Sequence, residues 1–384
     1  MKNILNALWI ALLSSPNFTL FSTIISVQVL SKGSQKVIIY GDVHQTWDRQ
    51  TTIAQAQALA KECIKLSRIV LFEGSFPDPF VLKSAHQKNS RSMIGSETEP
   101  DFLDLLEQYT AHYPSAHNIE TRGNGPTEDN IALFAYAIAA HSAGMLDMHD
   151  PETAEWVALT RTHRYTLYML NRHHWRVIQL LKKNLRAQKN SALKKVAADK
   201  INQLSNRIRT IYEELHTRLE SQYHISHARI SELLALPPAA VWDLPTLEQR
   251  VYAEFAHTVA TSVSFTFEAL DINALLTIAP TGTTVIAVGD GHAQSIAEHL
   301  KKLGFSKKLV APVQLTNGTE YSSFDEAYDS YIKESPESPL LTIPTQPITI
   351  QQLRTTIYYA PAETDFCKTM LRAITPAQIY AALH

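Results

Sequence analysis

Short apolar runs that stop abruptly at glycine alternate in this chain with stretches whose apolar positions step by three and four. Lys36-Val-Ile-Ile-Tyr40 stops at Gly41, Arg68-Ile-Val-Leu-Phe72 at Glu73-Gly74, and Thr283-Thr-Val-Ile-Ala-Val288 at Gly289. Continuous apolar runs of this length, rich in β-branched residues, predict strands buried on both faces. Residues 117–121 (HNIET) and Lys308-Leu-Val-Ala-Pro312 predict two more. Helical spacing fills the gaps: the alanine-rich Thr52–Leu66, a helix from Asp129, most of Leu247–Leu276, and Ala293–Leu303, which stops at Gly304.

The middle of the chain reads differently. No glycine occurs between Gly144 and Gly282 and no proline between Pro151 and Pro237, so Glu152–Leu236 lacks both helix breakers. Apolar positions at 167, 170, 178, 181 and 185, with His174 in the same stripe, form one helical series; Leu193, Ala197, Ile201, Leu204, Ile208, Ile211, Leu215 and Leu219 form a second. They predict two long amphipathic helices packed as an antiparallel hairpin. The fold class expected is therefore α/β, a mainly parallel central sheet with a long helical-hairpin insertion. The organisation expected along the chain is residues 1–30 as a signal peptide or N-terminal hydrophobic segment, 31–150 and 246–320 as two α/β halves around a helical insertion at 151–245, and 321–384 as a proline-rich linker with short helices.

At the N-terminus one lysine precedes the apolar run Ile4–Leu13, which Ser14, Ser15 and Pro16 close. Ten residues cannot span a bilayer, so the order suits a secretory signal peptide better than a spanning helix. An exported (periplasmic or secreted) or membrane-anchored protein is expected, with membrane contact through this segment alone and a cytoplasmic location left open.

Composition narrows the function. The 384 residues are 45% apolar and 19% charged, enough to bury a sizeable core. A net charge of −2 argues against a nucleic-acid partner for the chain as a whole, although Arg172–Gln222 holds twelve Lys or Arg against four Asp or Glu, read as a solvated basic face. Two cysteines, Cys63 and Cys367, make neither a disulfide framework nor a cysteine zinc site. No G-x-S-x-G, P-loop or strand-borne G-x-G-x-x-G is present, so a serine esterase, an NTPase and a dinucleotide enzyme are unsupported.

Histidine is the abundant chemical residue, with 16 copies. Two of them follow strand ends in matching contexts, Gly41-Asp-Val-His44 and Gly289-Asp-Gly-His292, and a third strand ends in Glu73-Gly74-Ser75. In open α/β sheets ligands bind at the carboxyl ends of strands, so the three predict one convergent site. His44, Glu73 and His292 suit either a divalent metal or metal-free acid–base chemistry. Asp42 and Asp290 become candidates for substrate contact or for helix capping. Arg122, closing the 117–121 strand, becomes a candidate for an anionic substrate group or a structural ion pair. His173-His174 and His224-x-x-His227 have ligand-like spacing but sit in helical sequence, where packing is the ordinary explanation.

The order of strand with Gly-Asp-Val-His44, strand with Glu73-Gly74, long helical stretch, then Val288-Gly-Asp-Gly-His292 through Leu300 to Gly304-Phe305 resembles the TraB/Tiki (GumN-like) family, allied to the erythromycin-esterase and ChaN-like proteins. The resemblance covers residues 36–75 and 283–313. It implies His44, Glu73 and His292 as site residues in a hydrolase of peptide or ester bonds: a divalent metal in the Tiki-type branch, His and Glu without metal in the esterase branch, haem iron in the ChaN-like branch. The expected partner is a small-molecule or peptide substrate. The family's Arg-Asn pair finds Arg164-Tyr165 here. Gly41-Asp-Val-His44 is also similar to the first motif of calcineurin-like metallophosphoesterases. Their two-metal site needs further carboxylate and histidine motifs, and where these would stand the chain has Phe72-Glu-Gly-Ser75 and Gly291-His292-Ala-Gln294.

Overall fold

The computed structural model describes residues 24–43, 49–74, 102–121, 128–262, 265–331, 345–358, 366, 371 and 374–384. The first half runs β1 (Ile24–Lys32), β2 (Gln35–Asp42), α1 (Arg49–Lys65), β3 (Ile69–Phe72), α2 (Phe102–Thr110) and β4 (Ala116–Asn118). Helices follow: α3 (Glu128–Ser142), α4 (Pro151–Thr162), α5 (Leu167–Ala187), α6 (Ser191–Tyr223), α7 (His227–Leu234), α8 (Pro238–Val241), α9 (Thr246–Ser262) and α10 (Phe265–Thr277). The chain then returns through β5 (Gly282–Gly289), α11 (Asp290–Lys302), β6 (Ser306–Ala311), β7 (Val313–Gln314) and β8 (Glu320–Tyr321), and finishes with α12 (Phe324–Tyr331), α13 (Ile350–Tyr358) and α14 (Pro376–Leu383).

Six strands form a mixed, mainly parallel sheet in the order β4-β3-β5-β2-β1-β6. Pairings of β4 with β3, β3 with β5 and β5 with β2 are parallel; β1 is antiparallel to both neighbours. The apolar runs of the sequence are explained by cover on both faces. Ile38, Tyr40, Val70, Phe72, Val285 and Ala287 face α1, α2 and α14, while Val37, Ile39, Leu71, Ile286 and Val288 face α10 and α11. Each of these side chains is almost wholly removed from water, so truncating one of the isoleucines, Leu71 or Phe72 to alanine costs about 2–5 kcal/mol. The α/β expectation is met.

Residues 24–30 behave differently from the sequence reading. Grouped there with the N-terminal apolar segment, they form most of β1, paired on one side with β2 and on the other with β6. Residues 1–23 lie outside the described set, and among the described residues no helix is long and apolar enough to cross a membrane.

The helical layer packs around its own core, drawing on α3 to α10 and on α13. The two helices expected at 167–185 and 193–219 are α5 and α6, joined by residues 188–190, and α10 packs against both. That helix also links the layers. Ala269, Ile272 and Leu276 face the helical core; Leu270, Ala274, Leu275 and Ile278 face the sheet.

Candidate functional site

Three neighbouring strands, β3, β5 and β2, end level with one another. Asp42 pairs in register with Gly289 and Phe72 with Ala287. The Glu73 N–H continues the ladder, donating to Ala287 O at 3.1 Å, and the Glu73 carboxylate turns back so that Oε2 accepts from Gly289 N–H at 3.0 Å. Asn118, at the end of β4, steadies the next residue: its Oδ1 accepts from Gly74 N–H at 3.1 Å. Two of the three strand-end motifs are thus joined directly. His44, from the third, lies outside the described residues, as does Arg122.

The aspartates of the two Gly-Asp pairs differ in their surroundings. Asp42 is buried at the last position of β2. Asp290 opens α11 but does not cap it. Its carboxylate accepts from the Ser26 hydroxyl of β1 and from Phe324 N–H at 2.9 Å, clamping β1 and α12 to the end of β5. Burial pushes its carboxyl up, against the stabilising bonds from Ser26 and Phe324. Gly41 makes this clamp possible, since a Cβ there would overlap Asp290 Oδ1 and Ser26 Oγ. With Asp290 turned aside and glycine at the N-cap, neither of these two residues caps the first turn of α11 with its side chain. Its N–H groups and the positive end of its dipole remain at the strand ends.

His292 occupies that first turn. Its Nδ1 is 2.8 Å from Oδ1 of Asp271, a buried residue of α10. One turn before Asp271, Phe267 lays its ring on the imidazole, centroids 3.9 Å apart and planes 18° apart. The carboxylate fixes the imidazole in its plane and the phenyl ring covers one face. With Asp271 ionised, Nδ1 carries the proton and Nε2 is left for exchange with a substrate or water. Burial raises the Asp271 pKa, countered by bonds from His292 and Ser295 and by the charge of Lys200.

Sequence reading passed over Asp271. The signal was there: Asp271 and Asn273 interrupt the apolar run Leu270–Leu276, and a buried polar side chain in such a stripe needs a partner. Asn273 finds Ile119 O, at 2.9 Å, and Asp271 finds the histidine.

The other histidine candidates fall elsewhere. His174 is fully buried, its ring 4.2 Å from that of Phe265, and burial lowers its pKa to about 3, so it is a neutral packing residue. His224 ends α6 in the left-handed conformation (φ 53°), and His227 stacks on His216 with centroids 4.4 Å apart. Cys63 is buried in α1, its thiol pushed up to about 12. A cleft of about 510 Å³ beside β4 is lined by Ile69, His117, Asn184, Gln188, Asn273 and Pro280, among others, and by none of Glu73, Asp271 or His292.

Among the described residues no three His, Cys, Asp or Glu side chains are grouped to hold a metal ion. Glu73 and His292 are each engaged by another partner, Gly289 and Asp271. The described donors do not by themselves form a metal site.

Comparison of the chain with protein-family models, curated proteins and solved structures finds no match.

Proposed function

We propose that the protein is a hydrolase of peptide or ester bonds whose site lies at the carboxyl ends of β2, β5 and β3. One observation carries the reading: a carboxylate–histidine pair, Asp271–His292, held in the first turn of α11 three residues after the N–H that binds Glu73. His292 Nε2 takes the proton of the attacking water and returns it to the leaving group, while Asp271 fixes the tautomer and stabilises the imidazolium. The first-turn N–H groups of α11 face the negative charge that develops on the carbonyl oxygen. Glu73, anchored on Gly289, supplies a second buried carboxylate at the strand ends. The resemblance to the TraB/Tiki family supports the same reaction class, and the apolar run Ile4–Leu13 supports an exported or membrane-anchored setting.

The test is a panel of peptide and ester substrates assayed with purified protein, wild type against His292→Asn and Asp271→Asn, with and without chelator and with metal and haem content measured. The expected result is turnover that falls about 10²–10⁴-fold in both variants with the melting temperature kept. Loss of turnover on chelation, with stoichiometric metal in the wild type, would replace this mechanism by a metal site of His44, Glu73 and His292. Full activity in His292→Asn would reject the site itself. Bound haem without turnover would favour the ChaN-like alternative.

A further inference from the structure

Between Trp156 and Ala198 the sequence contains no Asp or Glu, and this stretch includes the whole of α5. The helix divides cleanly. Leu167, Leu170, His174, Val177, Ile178 and Leu181 are buried in the helical core. At 100° per residue, Arg172, Arg176, Lys183 and Arg186 share one arc on the opposite side, and all four are exposed. Among the described residues no carboxylate pairs with any of them; the arginines of the helical layer that do form ion pairs are Arg161, Arg207, Arg218, Arg229 and Arg354. From Arg172 to Arg186 the helix rises about 21 Å, so this is a long cationic stripe without ion-pair partners among the described residues.

Apolar side chains lie within or beside that arc. Tyr168 is 60% exposed, Met169 47% and Leu180 40%. A face that only needs solvation has no use for three large apolar groups among its cations, and a phosphate backbone would contact the cations and leave those groups in water. An anionic bilayer surface uses both, with lipid headgroups opposite the cations and the interfacial region around Tyr168, Met169 and Leu180.

We infer that the outer face of α5 is a docking surface for an anionic lipid bilayer, separate from the strand-end site and from the N-terminal apolar run. Binding lays α5 parallel to the surface. It weakens as salt rises, because the attraction is screened over about 8–10 Å at ordinary ionic strength.

Flotation of the full chain with phosphatidylcholine vesicles, with or without phosphatidylserine, tests this. Binding is expected to the phosphatidylserine vesicles, with partition falling about 100-fold or more in the Arg172→Gln/Arg176→Gln/Lys183→Gln/Arg186→Gln variant. Tyr168→Ser/Met169→Ser/Leu180→Ser is expected to lose binding as well. Both variants keep the buried face and the N-terminal run, and circular dichroism confirms that each is folded. Binding that survives the four charge substitutions belongs to the N-terminal run and overturns the proposal, as does equal binding to neutral vesicles or none to either. Tighter, charge-dependent binding to single-stranded RNA or DNA than to vesicles would assign the stripe to nucleic acid instead.

Discussion

His174 and His292 show how little a histidine's spacing says about its work. Both sit in helices, yet one is sealed in the helical core and the other is held by a carboxylate at the end of a strand. His174 has a measurable consequence. Its folded pKa, about 3, lies below the ordinary value of 6.5, so its neutral form contributes stability above pH 6.5 that is lost as pH falls towards 3. One proton corresponds to a slope of about 1.4 kcal/mol per pH unit. His174→Phe, which keeps a ring against Phe265, should remove that slope between pH 6 and pH 4 in urea titrations; an unchanged slope would mean that the site ionises without unfolding. Asp271 and Asp290 act with the opposite sign. Their raised pKa values favour the protonated folded form, and that contribution is lost as pH rises through the folded values.

At the scale of elements, freedom from glycine and proline over Glu152–Leu236 correctly signals helix but not how many helices. Four occupy the stretch, divided at residues 163–166, 188–190 and 224–226. Polar N-caps end each break: Thr166 accepts from Met169 N–H, Asn190 from Ala192 and Leu193 N–H, and Ser226 from Arg229 N–H. These residues satisfy the orphan donors of a new helix and so restart it without a breaker. Asn190 also donates to Gln35 Oε1 at 3.4 Å, fixing the start of α6 against the β1–β2 hairpin. Asn190→Ala is expected to lower stability by about 1–2 kcal/mol by chemical denaturation, whereas Asn190→Ser should recover most of it; equal losses in both would place the effect in the Gln35 contact.

On the scale of the whole molecule, the two layers share α10 and are tied by Gln188, whose Nε2 donates to the carbonyls of Leu275, Leu276 and Ile278 at 2.9–3.3 Å. A helix that contributes to both cores couples their unfolding. One cooperative transition is expected, coincident by near- and far-ultraviolet circular dichroism. Gln188→Ala should shift it by about 1–3 kcal/mol, since buried helix-end carbonyls lose their donor. Two resolved transitions in the wild type would show that the layers fold independently.

Composition and periodicity were sufficient for the α/β class, the strands ending at Gly41-Asp42, Phe72 and Gly289, and the helices now seen as α5 and α6, because those features are set by local burial pattern. The sequence also placed Glu73 and His292 at strand ends, since the polar residues stand directly after apolar runs. It could not show that β5 inserts between β2 and β3, which brings Glu73 onto the N–H of Gly289 from more than two hundred positions away. Nor could it pair Asp271 with His292, give Asp290 to Ser26 and Phe324, or place residues 24–30, grouped with a signal peptide or N-terminal hydrophobic segment, in an interior strand. Pairing is decided by which elements pack together, and a residue's own neighbours in the chain carry no record of that.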